Sequence, residues 1–286
     1  MFDIVRASLR TGRVTTAYPG QPERAPKAFR GRPTLEPNRC NGAGQCVDSC
    51  PANAITMRHT AEEQYWQLDL ARCVFCGLCE EACPNQAIWL TNDFELAARR
   101  RADLRMSVPL ATRSLAEPGP RAQQPPARVE DPLVVIRSEA ERLTDRIRTL
   151  LRRSLHIRHM DAGSDNSTDW ELSALLNPVY DIQRLGLDIV ASPRHADLLL
   201  VTGAVTRNLA LALRRTYEAM PHPRLVVAAG AEACGGGVLQ GAYSVAGGVD
   251  QCLPVDVYIP GDPPRPLALI QGLLIAMGKL EPKLLG

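Results

Sequence analysis

The sequence predicts a fold of two parts, a small cysteine-rich α+β domain followed by an α/β domain with a parallel sheet. The first prediction depends on two cysteine motifs, each followed by a short apolar strand, Ala54–Met57 and Ala87–Leu90. The second depends on apolar strands that alternate with helices after residue 155. A chain of 286 residues is long enough for two such domains.

The second cysteine motif runs from Cys73 to Pro84 and has the spacing C-x2-C-x2-C-x3-C-P. This spacing wraps a short loop around an iron–sulfur cluster, with three cysteines on one cluster and the fourth on a neighbour. A structural zinc site usually needs two cysteine pairs that are set well apart, and disulfide frameworks are typical of small secreted domains. The motif therefore favours iron–sulfur ligation over both alternatives.

The first cysteine motif, from Cys40 to Pro51, repeats the second in frame, except that Ala43 stands where the second cysteine belongs. This internal repeat resembles the two-cluster bacterial-type ferredoxins over about residues 35–95. In that family the last cysteine of each motif binds the other motif's cluster. The resemblance implies a complete 4Fe–4S site, made by Cys50, Cys73, Cys76 and Cys79, and an incomplete site, made by Cys40, Cys46 and Cys83.

The incomplete site leaves three outcomes open, because the alanine at position 43 cannot bind iron. It could hold a 3Fe–4S cluster, a 4Fe–4S cube with a fourth ligand other than cysteine, or no cluster. We expect a 3Fe–4S cluster, because three thiolates suit a cube that lacks one corner.

After residue 155 the apolar segments alternate between strand and helix patterns. Strands are predicted at Leu187–Ala191, Leu198–Val201, Leu225–Ala228 and Val255–Ile259, and helices at Leu209–Met220 and Pro266–Met277. This alternation predicts a flavodoxin-like domain with a parallel sheet between helices. The turn Thr202–Gly203–Ala204 lacks the further glycines of a phosphate-binding loop, so no nucleotide site is expected.

The start of the chain, Met1–Arg13, has an amphipathic helix pattern with arginines beside the apolar positions. It could pack on its own domain, or lie against anionic lipid or a membrane subunit. An extended arm, Tyr18–Pro37, follows it. Two further helices are predicted, at Phe94–Leu104 and at Ser138–Arg153. We divide the chain into the helix and arm (1–34), the ferredoxin domain (35–97), an Arg/Pro-rich linker (98–137) and the α/β domain (138–286).

Charge and cysteine usage exclude several classes of function. The formal net charge of +2 does not predict binding to nucleic acid. Seven of the nine cysteines lie between residues 40 and 83, and no secretory signal is visible, which favours a reducing cytoplasm. The longest apolar stretch, Leu267–Met277, is too short to span a bilayer, so any membrane association is expected to be peripheral.

Several short sequence segments of the α/β domain are specific enough to indicate a resemblance to a known family. They are Arg153–His159, Asp161–Ser164, Ser192–Asp197, Val201–Thr206 and Val255–Gly261. Residues 150–282 resemble the small subunit of membrane-bound nickel–iron hydrogenases and formate hydrogenlyase, a family that includes the quinone-site subunit of respiratory complex I. The N-terminal half resembles the two-cluster ferredoxin-like subunit of the same complexes. The chain therefore looks like a fusion of the two subunits.

The small-subunit family binds a further 4Fe–4S cluster through four cysteines, and the resemblance places four other residues at those positions. They are Asp165, Thr168, Glu232 and Asp262. Carboxylates and hydroxyls are hard ligands that hold an iron–sulfur cube poorly, so we predict no cluster in this domain. A shift of the alignment to Cys234 would restore one thiolate only, and Cys252 is expected to be a core thiol.

Three acids at one place require partners, because like charges raise one another's pKa. We expect a network of salt bridges and water at Asp165, Glu232 and Asp262, with Arg158, Arg194 or His195 as partners. The alternative is a site for a hard cation or for protons, built from the same three acids.

Together these features predict an iron–sulfur electron-transfer subunit of a hydrogenase- or complex I-like, ion-translocating membrane complex. We expect it to have no active site of its own and to lie at the cytoplasmic face of the inner membrane. Its expected partners are a hydrogenase-large-subunit-like protein and membrane subunits. The alternative is a scaffold subunit whose remaining clusters are not part of a through relay. A stand-alone ferredoxin is the least favoured, because the tail keeps the family's framework.

Overall fold

The computed structural model describes residues 2–59, 63–110 and 154–283. The helix predicted at Ser138–Arg153 and most of the predicted linker lie outside these residues. The described helices are α1 (Phe2–Thr11), α2 (Gln45–Asp48), α3 (Leu78–Glu81), α4 (Ser167–Ala174), α5 (Ala210–Glu218), α6 (Ala231–Gly235) and α7 (Pro266–Ala276). None of these helices is long and apolar enough to cross a membrane.

The cysteine-rich domain contains two small antiparallel sheets. Its strands are β1 (Pro33–Leu35), β2 (Ile55–His59), β3 (Gln64–Asp69), β4 (Ile88–Leu90) and β5 (Arg105–Leu110). Strand β1 pairs with β4, and β3 lies between β2 and β5. The strands predicted after each cysteine motif are therefore present as β2 and β4.

The segment that joins the two domains differs from its prediction. Residues 94–104 do not form the predicted helix, since only Arg101–Leu104 makes a short 3-10 turn. Phe94, Leu96, Ala97 and Ala98 are all buried, so the chain runs extended between two packed surfaces. Strand β5 follows directly and pairs with β3. The start of the predicted linker is therefore part of the folded core, because long-range packing overrides local helix propensity.

The second domain is the predicted parallel α/β structure. Its strands are β6 (Leu155–Asp161), β7 (Leu187–Ile189), β8 (Leu198–Thr202), β9 (Val205–Thr206), β10 (Leu225–Ala229), β11 (Val245–Gly247) and β12 (Val257–Ile259). Five of them form one parallel sheet in the order β12-β10-β8-β6-β7. Every residue of β8 and β10 is buried, which explains their continuous apolar sequences.

Helix α7 packs across β10 and β12 and is buried along its whole length. Gly272 is required for this contact, because a Cβ there would lie 2.3 Å from Cδ1 of Ile259. Gln271 is the polar exception in the helix, and its Oε1 accepts a hydrogen bond from the backbone N–H of Ala97 at 3.3 Å. The apolar stretch that sequence analysis singled out is therefore a core helix that also contacts the joining segment.

Candidate iron–sulfur centre and neighbouring acidic site

The two cysteine loops have the same backbone conformation. Gly44 and Gly77 both adopt left-handed φ angles, 76° and 87°, just before α2 and α3. Two residues earlier, Gly42 and Phe75 are also left-handed, with φ of 73° and 52°. A left-handed phenylalanine is uncommon and is maintained here by burial. The first loop therefore keeps the shape of the second, although position 43 has no thiol.

Four thiols lie within electrostatic range of one another around the second loop. Burial raises the pKa of Cys73, and the charges of Cys79, Cys50 and Cys76 raise it further. Burial also raises the pKa of Cys79 to about 12, with Cys76 and Cys50 as the next causes. These four cysteines are those of the predicted complete site, and their role as ligands stays a prediction.

A second group of thiols forms around Cys46. Burial is the largest cause that raises its pKa, and the charges of Cys40 and Cys83 add to it. The indole of Trp66 acts in the opposite direction and lowers it. These three cysteines are those of the predicted incomplete site.

Backbone N–H groups point at the sulfur atoms of both groups. Ala54 donates to Cys50 Sγ at 3.2 Å, and Ala87 donates to Cys83 Sγ at the same distance. Phe75 donates to Cys73 Sγ at 3.4 Å. Such donors stabilise thiolates and the clusters that thiolates hold.

The donor set fits iron–sulfur clusters better than a single ion. All nine cysteines are free thiols, so none is used in a disulfide. Across residues 2–59, 63–110 and 154–283, no three His, Cys, Asp or Glu side chains converge closely enough to hold one metal ion. The seven thiols of the two groups are soft donors, and such thiolates are the ligands that hold iron–sulfur clusters.

The four positions at which the family resemblance implies ligands also meet, at the carboxyl edge of the parallel sheet. Asp165 and Thr168 follow β6, Glu232 follows β10 and Asp262 follows β12. Thr168 is buried, and its Oγ1 would lie 2.8 Å from a Cβ at Gly230. Burial raises the pKa of Glu232 to about 7, and the charges of Asp165 and Asp262 contribute to the shift.

The predicted salt-bridge network at these acids is wrong. Arg158 instead donates to the carbonyl of Ala191 at 2.8 Å. Arg194 and His195 line a separate cavity with His156 and Asp197. Within the described part of the chain, no Arg, Lys or His lies within ion-pairing distance of Asp165, Glu232 or Asp262.

The alternative of a cation site is not supported either. The described residues contain no three acids close enough to share an ion. Asp165 is exposed and accepts hydrogen bonds from both the N–H and the hydroxyl of Ser167. Burial raises the pKa of Asp262 to about 6, with Asp165 as the second cause. Glu232 is therefore partly protonated near neutral pH, whereas Asp262 takes up its proton at a more acidic pH.

The two remaining cysteines are placed as core thiols. Cys234 is completely buried, and its Sγ donates to the carbonyl of Ala228 at 3.4 Å. It is Glu232, not Cys234, whose pKa responds to Asp165 and Asp262. Cys252 is half-buried and packs against the core of the chain.

Two features of the site were missed from the sequence. Asp169 joins a polar network in which it accepts hydrogen bonds from Thr202 and Ser164 and lies 2.9 Å from Nε2 of His159. The second feature is Trp66 on β3, whose indole lowers the pKa of Cys46 in the three-cysteine group. Neither has a sequence signal, because both depend on which strands become neighbours.

A cavity of about 350 Å³ lies between the second cysteine loop and the acidic edge. Phe75 and Cys76 line one side, and Asp262 and Arg265 line the other. Arg30 fixes the first side, since its Nη1 donates to the carbonyl of Cys76 at 2.9 Å. Cys76 of the four-cysteine group and Asp262 of the acidic edge therefore face a shared space.

Two known families match this chain, one for each domain. A 4Fe–4S dicluster domain matches residues 39–87, and the NADH ubiquinone oxidoreductase 20 kDa subunit family matches residues 166–276. The probable membrane-bound hydrogenase subunit mbhJ of Pyrococcus furiosus is 42% identical over 152 residues, which are 52% of this chain and 91% of that protein. The chain belongs to the 20 kDa subunit family. Its dicluster domain confirms the predicted fusion and indicates that the chain binds 4Fe–4S clusters.

Other relatives carry the same domain in different complexes. Formate hydrogenlyase subunit 7 of Escherichia coli is 42% identical over 134 residues, which are 47% of this chain and 52% of that protein. The chain thus spans about half the length of that relative. An NADH-quinone oxidoreductase subunit of Citrifermentans bemidjiense is 50% identical over 101 residues, 35% of this chain and 59% of that protein. These matches and the parallel sheet confirm the predicted fold class.

Proposed function

We propose that the chain is an iron–sulfur electron-transfer subunit of a hydrogenase- or complex I-like, ion-translocating membrane complex. The observation that carries this proposal is the cavity shared by Cys76 and Asp262, which connects a dicluster domain with a domain of the 20 kDa subunit family. The names of relatives, as subunits of formate hydrogenlyase and of a membrane-bound hydrogenase, support the kind of complex.

In this proposal, Cys50, Cys73, Cys76 and Cys79 hold one 4Fe–4S cluster. When bound, such a cluster supplies one-electron transfer. The chain's own residues hold the loop in place, because Arg30 binds the Cys76 carbonyl and Phe75 is buried against the core. No residue of this set acts on a substrate, so we assign the chain no active site of its own.

The three cysteines Cys40, Cys46 and Cys83 hold a second cluster in the proposal. The loop around Ala43 supports this assignment, since it keeps the left-handed turns of the complete loop. A site with three thiolates favours a 3Fe–4S cluster, and a 4Fe–4S cube with a different fourth ligand is the alternative.

The C-terminal domain holds no cluster in the proposal. Hard oxygen donors stand at all four implied positions, and hard donors bind a soft cube poorly. Purified protein should contain about 7–8 iron atoms per chain, from the two clusters of the dicluster domain. A content of about 12 iron atoms would mean a third cluster and would contradict the proposed loss.

A scaffold subunit is the second candidate function. One observation favours it, namely that acids stand where the family resemblance implies cluster ligands. Without that cluster, a relay of electrons through this domain would be interrupted. Cys50→Ser in the assembled complex separates the two functions. In a through relay, the variant loses turnover of the complex together with the cluster signal. In a scaffold, the complex still assembles and turns over after the signal is lost.

We further propose that the chain binds peripherally at the cytoplasmic face of the inner membrane, against membrane subunits and a hydrogenase-large-subunit-like protein. Helix α1 supports this position, because Arg6, Leu9 and Arg10 are all exposed on it. Deletion of residues 2–11 should release the chain from washed membranes, whereas Arg214→Ala, a change at an exposed residue of α5, should not. Retention of the deleted chain would contradict a role for α1.

A further inference from the structure

Trp66 has an unsatisfied indole N–H in the core of the dicluster domain. The residue lies in the middle strand, β3, opposite Met57 on β2 and Val108 on β5. Its side chain is 0% exposed, and no atom of the described residues accepts a hydrogen bond from Nε1. Buried tryptophan N–H groups normally have an acceptor, so this one indicates an acceptor that protein atoms do not provide.

The surroundings of the indole identify the place of that acceptor. Trp66 and Cys46 are buried in the same cluster of the core, and the indole N–H influences that thiol, although no hydrogen bond between Nε1 and Sγ is formed. Cys46 belongs to the three-cysteine group with Cys40 and Cys83. The orphan N–H therefore faces the site that Ala43 leaves short of one thiolate.

The two halves of the internal repeat differ at this point. At the Cys-Pro end of each motif, the same backbone donor is present, Ala54 to Cys50 Sγ and Ala87 to Cys83 Sγ. Among the hydrogen bonds of the described residues, no side chain donates to a sulfur of the four-cysteine group. The three-cysteine site thus has one thiolate fewer and, in addition, an unpaired side-chain N–H in the same buried cluster.

We propose that the indole N–H of Trp66 donates a hydrogen bond to Cys46 Sγ or to a sulfide of the cluster at the three-cysteine site, and thereby raises that cluster's reduction potential. The inference rests on the proposed second cluster. Hydrogen bonds to cluster sulfurs stabilise the reduced, more negative state. Trp66 is therefore a positioning residue. It binds no iron, and it changes only the reduction potential of the cluster at the three-cysteine site.

The test removes the N–H and keeps the shape of the side chain. Site-specific replacement of Trp66 by 3-benzothienylalanine exchanges the N–H for a sulfur atom of similar size. The full chain is then titrated with reductant while EPR follows both clusters. We expect the three-cysteine cluster to titrate at a more negative potential, while the signal of the four-cysteine cluster and the iron content stay unchanged. Trp66→Phe, if it folds, should shift the same signal in the same direction.

The same analogue at Trp89 is the matched control, because that residue lies on β4 and is 39% exposed. It should shift neither signal. An unchanged potential in the Trp66 analogue, with both clusters present, would overturn the role of Trp66 and leave the proposed function intact. A wild-type chain with one EPR signal and about 4 iron atoms would overturn the second cluster itself.

Discussion

Ala98 and Tyr258 exchange two backbone hydrogen bonds, with N···O distances of 2.9 and 2.8 Å. Tyr258 lies on β12, an edge strand of the parallel sheet, and Ala98 leads from the cysteine-rich domain toward β5. The exchange covers an edge that would otherwise expose unpaired backbone groups. It also fixes the chain four residues before Asp262, so the cysteine loops and the acidic edge are held on either side of one cavity.

The contact between Gln271 and Ala97 should contribute to the stability of the joined domains. Gln271→Leu leaves the buried N–H of Ala97 without an acceptor, so we expect a loss of about 1–3 kcal/mol in the free energy of unfolding. Urea unfolding of the full chain measures it. Gln240→Leu, at an exposed position, is the control and should change stability by less than about 0.5 kcal/mol. Equal effects of the two variants would argue against this contact.

Ala43→Cys should complete the second cysteine site. The loop already has the left-handed turns of the complete one, so we expect a thiol at position 43 to take the place that Cys76 has in the second loop. We expect the iron content to rise by about one atom per chain, with loss of the EPR signal of an oxidised 3Fe–4S cluster. Ala43→Ser adds a hydroxyl of similar size and should leave the iron content unchanged. No gain of iron with cysteine would mean that the wild-type site is empty or already holds four irons.

Restoring thiols at Asp165, Thr168, Glu232 and Asp262 together should give the C-terminal domain a cluster. The four positions meet at the carboxyl edge of the sheet, so cysteines there would replace hard ligands by soft ones. After anaerobic reconstitution we expect about 4 additional iron atoms per chain. The same quadruple variant with serines is the control. If both variants bind equal iron, these positions are not the vacated ligand positions.

Glu232→Gln should change how stability depends on pH. The pKa of Glu232 is raised from 4.5 to about 7 in the folded chain, so its charged form is disfavoured there. Below pH 4.5 the carboxyl is protonated in both states and has no effect. As the pH rises toward 7, the wild type loses stability, and it gains none back above 7.

The glutamine variant removes this penalty and should be more stable than the wild type at about pH 8. Because Glu232 is only half-buried, solvent screening reduces the expected difference to about 1–2 kcal/mol. The two proteins should have equal stability at about pH 4. Urea unfolding between these two pH values measures it, with Glu218→Gln as an exposed control on α5. A difference that is constant over this range would contradict the raised pKa.

Much of this molecule follows from local sequence. The spacing of the cysteines between Cys40 and Cys83 predicts both loops, because two or three ligands of each site lie within one short loop and the remaining one comes from the other loop of the same repeat. The strands β8 and β10 are likewise evident, since a strand buried on both faces must be apolar throughout. The hard donors at the implied ligand positions are also readable from the sequence alone.

Only the tertiary structure decided the features that depend on neighbours far apart in sequence. Phe94–Ala98 has helix-forming residues but is extended, because it is packed between two domains and bonded to Tyr258. Arginines near the acids in sequence point elsewhere, so Glu232 and Asp262 lack ionic partners among the described residues. Trp66 lies in a strand, Gln64–Asp69, that mixes polar and apolar residues, and nothing in the sequence distinguishes its N–H. Its N–H lacks an acceptor only because folding buries it in the cluster that also contains Cys46, and long-range packing of this kind leaves no periodic signal in the chain.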